Sequence, residues 1–379
     1  MSLALSTLLY EWRRYLAAVI ALAVAGLLVL AMTGMFMGMS KSFTATIDRS
    51  PAVIMILPPQ AESLFGDNNG QPRRNIPKIY QDSEVVEVQP LSLNWAFWSN
   101  FPKDGQPAKG NGVQIVVIDP TPGAVTLPND FGDDLIQALQ QPYSVVIDRS
   151  SLGRLGVQVG DPAKLNGNRV WVRAVTDHYA SLFNASVFMS TQSAKLLNLA
   201  NDGQRVGALM VKIKNPAISR QVVAELNSMS NGQYKAWARE DLSLASQKAM
   251  LKEGGISVMI GFAVIVGTFI GIVITWQTLQ GAILANIKEF ASLRALGVSM
   301  GRLRLIVMEL SIWVGVAGLL LTSLLTAGIW ALAGGFGVPM DFPLFIDVPV
   351  AITLLSIAML SGALSLGILK KSQPADLLR

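Results

Sequence analysis

Four long stretches of the chain are apolar and carry no charged side chain. They are 26, 34, 31 and 22 residues long, at 15–40, 254–287, 310–340 and 348–369. About 20 apolar residues in a helix are enough to span the hydrocarbon core of a bilayer. The pattern therefore predicts four transmembrane helices, at 15–40, 254–281, 305–333 and 348–369. Residues 1–14 are interpreted either as a separate amphipathic helix or as an extension of the first span.

The segment between the first two spans, residues 41–253, alternates short apolar runs with polar turns. The runs at 113–118 and 208–213 have the composition of strands, and 219–229 has helical periodicity. We expect an α+β domain, built of two lobes. The predicted fold class is thus a membrane α-helical protein in a 1+3 layout, with a large α+β domain inserted between its first and second helices.

Lysine and arginine residues outside this domain predict the orientation of the helices. They precede the first span, lie between the second and third and follow the fourth, whereas the loop after the third span carries only Asp341 and Asp347. Because Lys and Arg stay on the cytoplasmic side, we expect an inner-membrane protein with both termini in the cytoplasm. The segments expected inside are 1–14, 282–304 and 370–379, and those expected outside are 41–253 and 334–347.

The residue content argues against several classes of function. The chain has no cysteine and one histidine, His178, which cannot build a typical zinc site. It has no Gly-x4-Gly-Lys phosphate loop. We therefore expect no catalytic residues, no metal and no cofactor in this chain. The 41–253 domain is nearly neutral, which gives no case for a nucleic-acid partner.

The loop between the second and third spans predicts a short amphipathic helix. Phe290, Leu293 and Leu296 or Gly297 recur at helical spacing, and Gly297 is placed to end the helix. Two interpretations are open: a helix that rests on lipid, and a helix that inserts into a groove of a partner protein. The candidate residues are Lys288, Glu289, Phe290, Leu293, Arg294, Ala295, Leu296 and Gly297.

Glu309 is the one charged residue inside the predicted spans. An ionisable residue within a membrane is by default a candidate functional site. Because it lies close to the cytoplasmic surface, an ion pair with Arg302 or Arg304 is the competing interpretation.

Two small-x3-small motifs also lie within the spans, one in the first and one in the second. They allow helices to approach closely. The contact lies either within one chain or between two copies. The residues are Gly34, Gly38, Gly267 and Gly271.

Three segments resemble one known family. The run 289–297 (EFASLRALG), placed after the second of four spans, resembles the coupling segment of MacB/FtsX-like ABC transporter permeases. The run 152–161 (LGRLGVQVGD) resembles a periplasmic turn of that family, and 371–379 (KSQPADLLR) resembles its closing sequence. Within the family, the DevC-type exporter permeases are the most similar, and the HrtB-type permeases are the nearest alternative. The runs that carry the DevC likeness are 79–82, 88–91, 95–98 and 117–120.

The resemblance implies a mechanotransmission permease, in which a partner ABC ATPase binds ATP and Mg and grips the coupling helix. It also implies a permease homodimer in contact with membrane lipid. We expect export of an amphiphilic or lipid-like cargo, together with a periplasmic adaptor and an outer-membrane channel. The alternative is an ATP-driven signal transducer that controls a periplasmic partner, as FtsX-like proteins do, without transporting cargo.

Overall fold

The computed structural model describes residues 10–64, 70–102, 107–180, 184–200, 203–253, 255–285, 292, 296–336 and 338–371. The chain forms two compact units. The bundle unit comprises Met1–Met37, Gly255–Gly335 and Met340–Arg379. The domain unit comprises Gly38–Gly254 and Phe336–Pro339.

The described residues contain four long apolar helices and several shorter ones. The α-helices are α1 (Trp12–Asp48), α2 (Ile76–Ile79), α3 (Asp133–Gln140), α4 (Leu152–Leu155), α5 (Thr191–Leu196), α6 (Ser219–Met229), α7 (Arg239–Glu253), α8 (Ile256–Ala285), α9 (Met300–Gly335) and α10 (Leu344–Lys371). Helices α1, α8, α9 and α10 are long and apolar enough to cross a membrane. The predicted four-helix layout, with the α+β domain after the first helix, is confirmed.

The long helices extend past the predicted spans. Helix α1 has 37 residues, which at 1.5 Å per residue is about 55 Å, well beyond a hydrocarbon core of about 30 Å. A span prediction counts only uncharged residues, whereas helical hydrogen bonding continues through polar ones. Residues 1–9 of the predicted N-terminal helix lie outside the described residues.

The domain unit is built on a mixed sheet. Its strands are β1 (Ile54–Leu57), β2 (Gln71–Pro72), β3 (Val85–Asn100), β4 (Gly110–Ile118), β5 (Ser144–Asp148), β6 (Pro162–Leu165), β7 (Asn168–Thr176), β8 (Ala185–Ser190), β9 (Arg205–Val206), β10 (Ala208–Ile213) and β11 (Lys235–Ala238). Nine of them form one sheet in the order β11-β1-β10-β3-β4-β8-β5-β7-β6, and β2 pairs with β9.

Strand β3 belongs to two parts of this sheet. Its first half pairs with β10, where Val88 lies opposite Val211. Its second half pairs with β4 on one side and, through Trp98 opposite Leu165, with β6 on the other. The pairing of β3 with β6 closes six strands, β3-β4-β8-β5-β7-β6, into a ring. Strands β11, β1 and β10 form an open extension of the sheet.

The ring and the extension bury separate apolar clusters. The ring encloses Trp98 and smaller apolar residues such as Ile115 and Val172, at alternate strand positions. Helix α6 covers the extension with Val222 and Leu226. A further cluster, which includes Leu139 of α3 and Leu242 of α7, packs on Met55 and Met210. These clusters explain why the domain forms a core without disulfides.

Small residues join the helices of the bundle unit. Helix α10 packs on both α8 and α9. The Ser361 hydroxyl of α10 donates to the Ile272 carbonyl of α8 at 3.3 Å. A Cβ on Gly362 would overlap the Ser311 hydroxyl of α9. The helices therefore approach closely at residues with little or no side chain.

Candidate functional site

The predicted coupling helix lies mostly outside the described residues. This is the case for Lys288, Glu289, Phe290, Leu293, Arg294 and Ala295. Leu296 is described and is 82% exposed, and its N–H donates to the Ser292 carbonyl at 3.1 Å, as in a helical turn. Gly297 has φ +89, the left-handed conformation that a glycine adopts most readily and that commonly ends a helix.

The two helices that flank this segment are packed together. Ile283 near the end of α8 and Leu303 and Val307 in the first turns of α9 form a buried apolar cluster, and Val298 packs against it. The Ser299 hydroxyl accepts from the Arg302 N–H at 3.4 Å and so caps α9. The predicted coupling segment therefore connects two helix ends that pack on each other in a buried apolar cluster.

Glu309 is half-buried on α9. In the part of the chain that the structure describes, neither Arg302 nor Arg304 lies within 4 Å of its carboxylate, and both arginines are exposed. Helix geometry explains this separation. Arg304 lies about 140° around the helix from Glu309, and Arg302 lies about 10 Å along it.

The four motif glycines are buried or packed inside the chain. A Cβ on Gly267 would lie 3.4 Å from Leu28, and one on Gly271 would lie 3.2 Å from Ala25; both contacts join α8 to α1. A Cβ on Gly34 would overlap the Phe342 ring. Gly38 is also buried. Contacts within one chain therefore account for Gly34, Gly267 and Gly271.

A cluster of polar side chains in the domain unit follows α1 and includes the first residue of α7. We call Arg49, Ser50, Asp130, Tyr179 and Arg239 the root cluster. Arg49 donates to Asp130 Oδ2 at 2.6 Å, and the Tyr179 hydroxyl donates to Asp130 Oδ1 at 2.9 Å. The Arg49 guanidinium also lies 5.7 Å from the centroid of the Tyr179 ring. Burial raises the pKa of Tyr179, and the charge of Asp130 raises it further, so the hydroxyl stays protonated.

Arg239 connects the two ends of the domain. Its Nη1 donates to the Ser50 carbonyl at 3.1 Å, and its backbone N–H donates to the Val53 carbonyl at 3.0 Å. The segment that follows α1 is thus hydrogen-bonded to the start of α7, which leads towards α8. No sequence motif marks the root cluster, because its partners are up to 189 residues apart in the chain.

The described residues hold no group of three His, Cys, Asp or Glu side chains placed to bind a metal. His178 is exposed in a turn with φ +78, beside the ion pair of Asp177 with Arg149. These groups offer no arrangement of nucleophile and base.

The matches of known families to the chain decide its identity. The MacB-like periplasmic core domain matches residues 15–229, more than half of the chain, and the FtsX-like permease C-terminal domain matches residues 261–374. The chain belongs to the MacB/FtsX-like family of ABC transporter permeases. This permease is a multi-pass membrane subunit of an ABC-type transporter, and the family implies a separate ABC ATPase as its partner.

Two solved structures are similar to part of the permease. The periplasmic region of MacB from Actinobacillus actinomycetemcomitans is 16% identical, with a TM-score of 0.33, and the match covers 55% of this chain and 96% of that one. The extracellular domain of the noncanonic ABC-type transporter YknZ from Gram-positive bacteria is 10% identical, with a TM-score of 0.32, over 48% and 98%. No protein of curated function matches the chain significantly.

Proposed function

We propose that the permease couples ATP hydrolysis by its partner ATPase to motion of the α+β domain, and that it exports an amphiphilic or lipid-like cargo. It resides in the inner membrane as a homodimer, with both termini in the cytoplasm and residues 41–253 and 334–347 outside. ATP and Mg are bound by the partner, and this chain has no enzymatic role. A periplasmic adaptor and an outer-membrane channel complete the exporter, which is of the DevC or HrtB type.

One observation carries this proposal. Residues 289–297, which resemble a coupling segment, lie inside the match to the FtsX-like permease C-terminal domain, between α8 and α9. Because the ends of these helices share a buried cluster, a force on the segment acts on both helices together.

The root cluster supports transmission into the domain. Closure of the ATPases moves the coupling helix, and α8 and α1 carry this motion outward along their lengths. Arg239 bonds the start of α7 to the backbone at Ser50, so both connections of the domain are displaced as one. Glu309 is the one charge within the predicted spans, which argues against a polar conduit through the bilayer and for handling of the cargo at the outer leaflet or in the periplasm.

The orientation is tested by cysteine labelling. The chain contains no cysteine, so single cysteines are placed at the exposed Ser228 of α6 and at the exposed Leu296. An impermeant thiol reagent added outside intact cells is expected to label position 228 and not position 296. The opposite labelling would overturn the proposed topology.

Reconstitution with the partner ATPase tests the coupling. The permease alone is expected to hydrolyse no ATP, and the complex is expected to hydrolyse ATP and move an amphiphile out of proteoliposomes. Hydrolysis by the isolated chain would contradict the proposal. ATP turnover that drives domain motion without moving any amphiphile would support the signal-transducer alternative.

A further inference from the structure

A cavity of about 500 Å³ lies in the helix bundle, where α9 ends and α10 begins. Helices α1, α9 and α10 contribute its largely apolar walls, which include Leu30, Leu319 and Leu354. Its volume is in the range of about 300–1,000 Å³ that small-molecule sites occupy. The coupling segment precedes the opposite end of α9, so the cavity is separate from the site described above.

A carboxylate lines this cavity. Asp347 lies in the first turn of α10, and its Oδ1 is buried without a hydrogen-bond partner among the described residues. An acidic residue at a helix N-terminus interacts favourably with the helix dipole, which by itself explains a carboxylate at this position. The helix dipole does not, however, supply a hydrogen-bond donor to the buried Oδ1 of Asp347. A charge in apolar surroundings is costly unless a cation pairs with it.

Thr326 supplies a second, independent polar group. It is 8% exposed and lines the cavity, and its Oγ1 has no partner in the described part of the chain. Neighbouring hydroxyls on α9 bond to their own helix: Thr322 donates to the Gly318 carbonyl at 2.8 Å, and Ser323 donates to the Leu319 carbonyl at 3.0 Å. That bond is the usual one for Ser and Thr in membrane helices. The Thr326 hydroxyl is therefore available to a ligand.

The wall of the cavity is fixed by contacts within the bundle. The Asp341 N–H donates to the Gly34 carbonyl of α1 at 3.0 Å. The Phe342 ring, which lines the cavity, packs on Gly34 where a Cβ would overlap it. Trp330 of α9 also lines the cavity, and 57% of its surface is exposed. Tryptophan at the end of a membrane helix is typical of the headgroup level.

We propose that this cavity binds an amphiphile whose polar end carries an amine. The ammonium group pairs with the Asp347 carboxylate, and the Thr326 hydroxyl bonds to a neighbouring polar atom of the ligand. The hydrocarbon chain packs on Leu30, Leu319 and Leu354. A carboxylate, sulfate or uncharged sugar in the place of the amine would leave Asp347 unpaired.

The identification of this ligand as cargo rests on the proposed export function; the binding itself does not. An amine-bearing membrane lipid has the same chemistry as an amine-bearing cargo. Binding to the isolated permease is measured without ATPase or transport, so failure of the site and failure of the export function are distinguishable.

The test uses the full chain in phosphatidylglycerol nanodiscs. Two probes, a spin-labelled long-chain amine and the same chain ending in a carboxylate, are compared by electron paramagnetic resonance. We expect a motionally restricted fraction for the amine and not for the carboxylate. Asp347→Asn is expected to weaken amine binding by about tenfold, the loss of one charge-assisted hydrogen bond, and Asp347→Glu to retain it. Thr326→Val is expected to weaken it by about fivefold.

Thr353→Val is the matched control. Thr353 lies on α10 outside this cavity, and its hydroxyl donates to the Pro349 carbonyl at 2.8 Å. Amine binding should be unchanged in this variant. Equal binding of both probes, no bound probe at all, or amine binding that Asp347→Asn leaves intact would overturn the proposal. Competition by phosphatidylethanolamine would support the site with a lipid occupant, and lack of competition would support it with a cargo occupant.

Discussion

In the closed ring of the domain unit, the interior is filled by side chains as large as Trp98, whereas in the bundle unit the helices meet at residues as small as Gly267, Gly318 and Gly362. The difference follows from the surroundings of each unit. In water, burial of apolar surface stabilises a core in proportion to its area. Between membrane helices the lipid is as apolar as leucine, so close backbone approach and hydrogen bonds drive packing. Large residues should therefore be sensitive to truncation in the domain, and small residues to enlargement in the bundle.

The largest effect is expected from truncation in the ring. Trp98→Ala should destabilise the domain by about 3–5 kcal/mol, because it leaves a cavity inside the six strands. The matched control is Trp95→Ala on the same strand, since Trp95 is 51% exposed on the outer face. Hydrogen exchange of the β3 and β4 amides in the full chain measures both. Similar losses for the two variants would mean that the ring has no packed interior.

A smaller effect is expected in the root cluster. Asp130→Asn removes a partly buried charge that accepts from Arg49 and Tyr179, at a cost of about 1.5–3 kcal/mol. The exposed pair of Asp177 with Arg149 is the control, and Asp177→Asn should cost less than about 1 kcal/mol.

The control pair of Asp177 with Arg149 should also respond to acid. The hydrogen bond from Arg149 lowers the pKa of Asp177 below its usual range. Its small contribution is therefore present above the ordinary Asp pKa of about 3.9 and is lost as the pH falls through the lowered value. Urea unfolding of the domain at pH 7 compares the two variants, and the same measurement in acid checks the pH dependence of the Asp177 pair. Equal effects of the two variants at pH 7 would contradict a structural role for the root cluster.

The bundle is tested by adding one methyl group. Gly318→Ala places a Cβ 2.9 Å from that of Leu22 on α1, whereas at Gly328, on the same helix, nothing described lies within 4 Å. Overpacking costs about 1–3 kcal/mol, and alanine in place of glycine gains about 0.5–1 kcal/mol in a helix. Gly318→Ala should therefore destabilise the bundle, and Gly328→Ala should stabilise it slightly. Steric trapping measures whether each variant raises or lowers the free energy of unfolding of the bundle. A change in the same direction for both variants would refute the packing argument.

The sequence predicted best those elements whose pattern is local. The strand Ala208–Ile213 and the helix Ser219–Met229 have the predicted bounds, because each follows its period without interruption. The apolar run at 85–88 predicts only a short strand, whereas β3 runs from Val85 to Asn100. Pro90 interrupts the pattern, and pairing with β4 and β6 extends the strand. The short strands β6 and β11 were not predicted, because a proline begins the one and alanines dominate the other.

The candidate site was predictable only where a motif marks it. The resemblance of 289–297 predicts a coupling segment there, and the glycine motifs indicate close helix contacts. Nothing in the sequence marks Thr326, since a hydroxyl in a membrane helix usually bonds to its own backbone. Asp347 was predicted in a loop and lies in the first turn of α10. Both acquire their significance from the cavity that three helices form together.

The affinity of the partner ATPase for coupling-helix variants tests the central claim most directly. Phe290→Ala should cost about 2 kcal/mol, roughly thirtyfold in affinity, because a buried aromatic anchor would be lost. Leu293→Asp should do the same, and Arg294→Ala should cost about 1 kcal/mol or less. The control is Phe262→Ala, an exposed aromatic residue on α8.

These affinities are measured with the full permease in nanodiscs by titration of the purified ATPase. We predict thirtyfold weaker binding for Phe290→Ala and Leu293→Asp, with Phe262→Ala unchanged and all variants correctly inserted. Unchanged affinity in both coupling-helix variants would show that the helix rests on lipid, and would contradict its role in docking the ATPase.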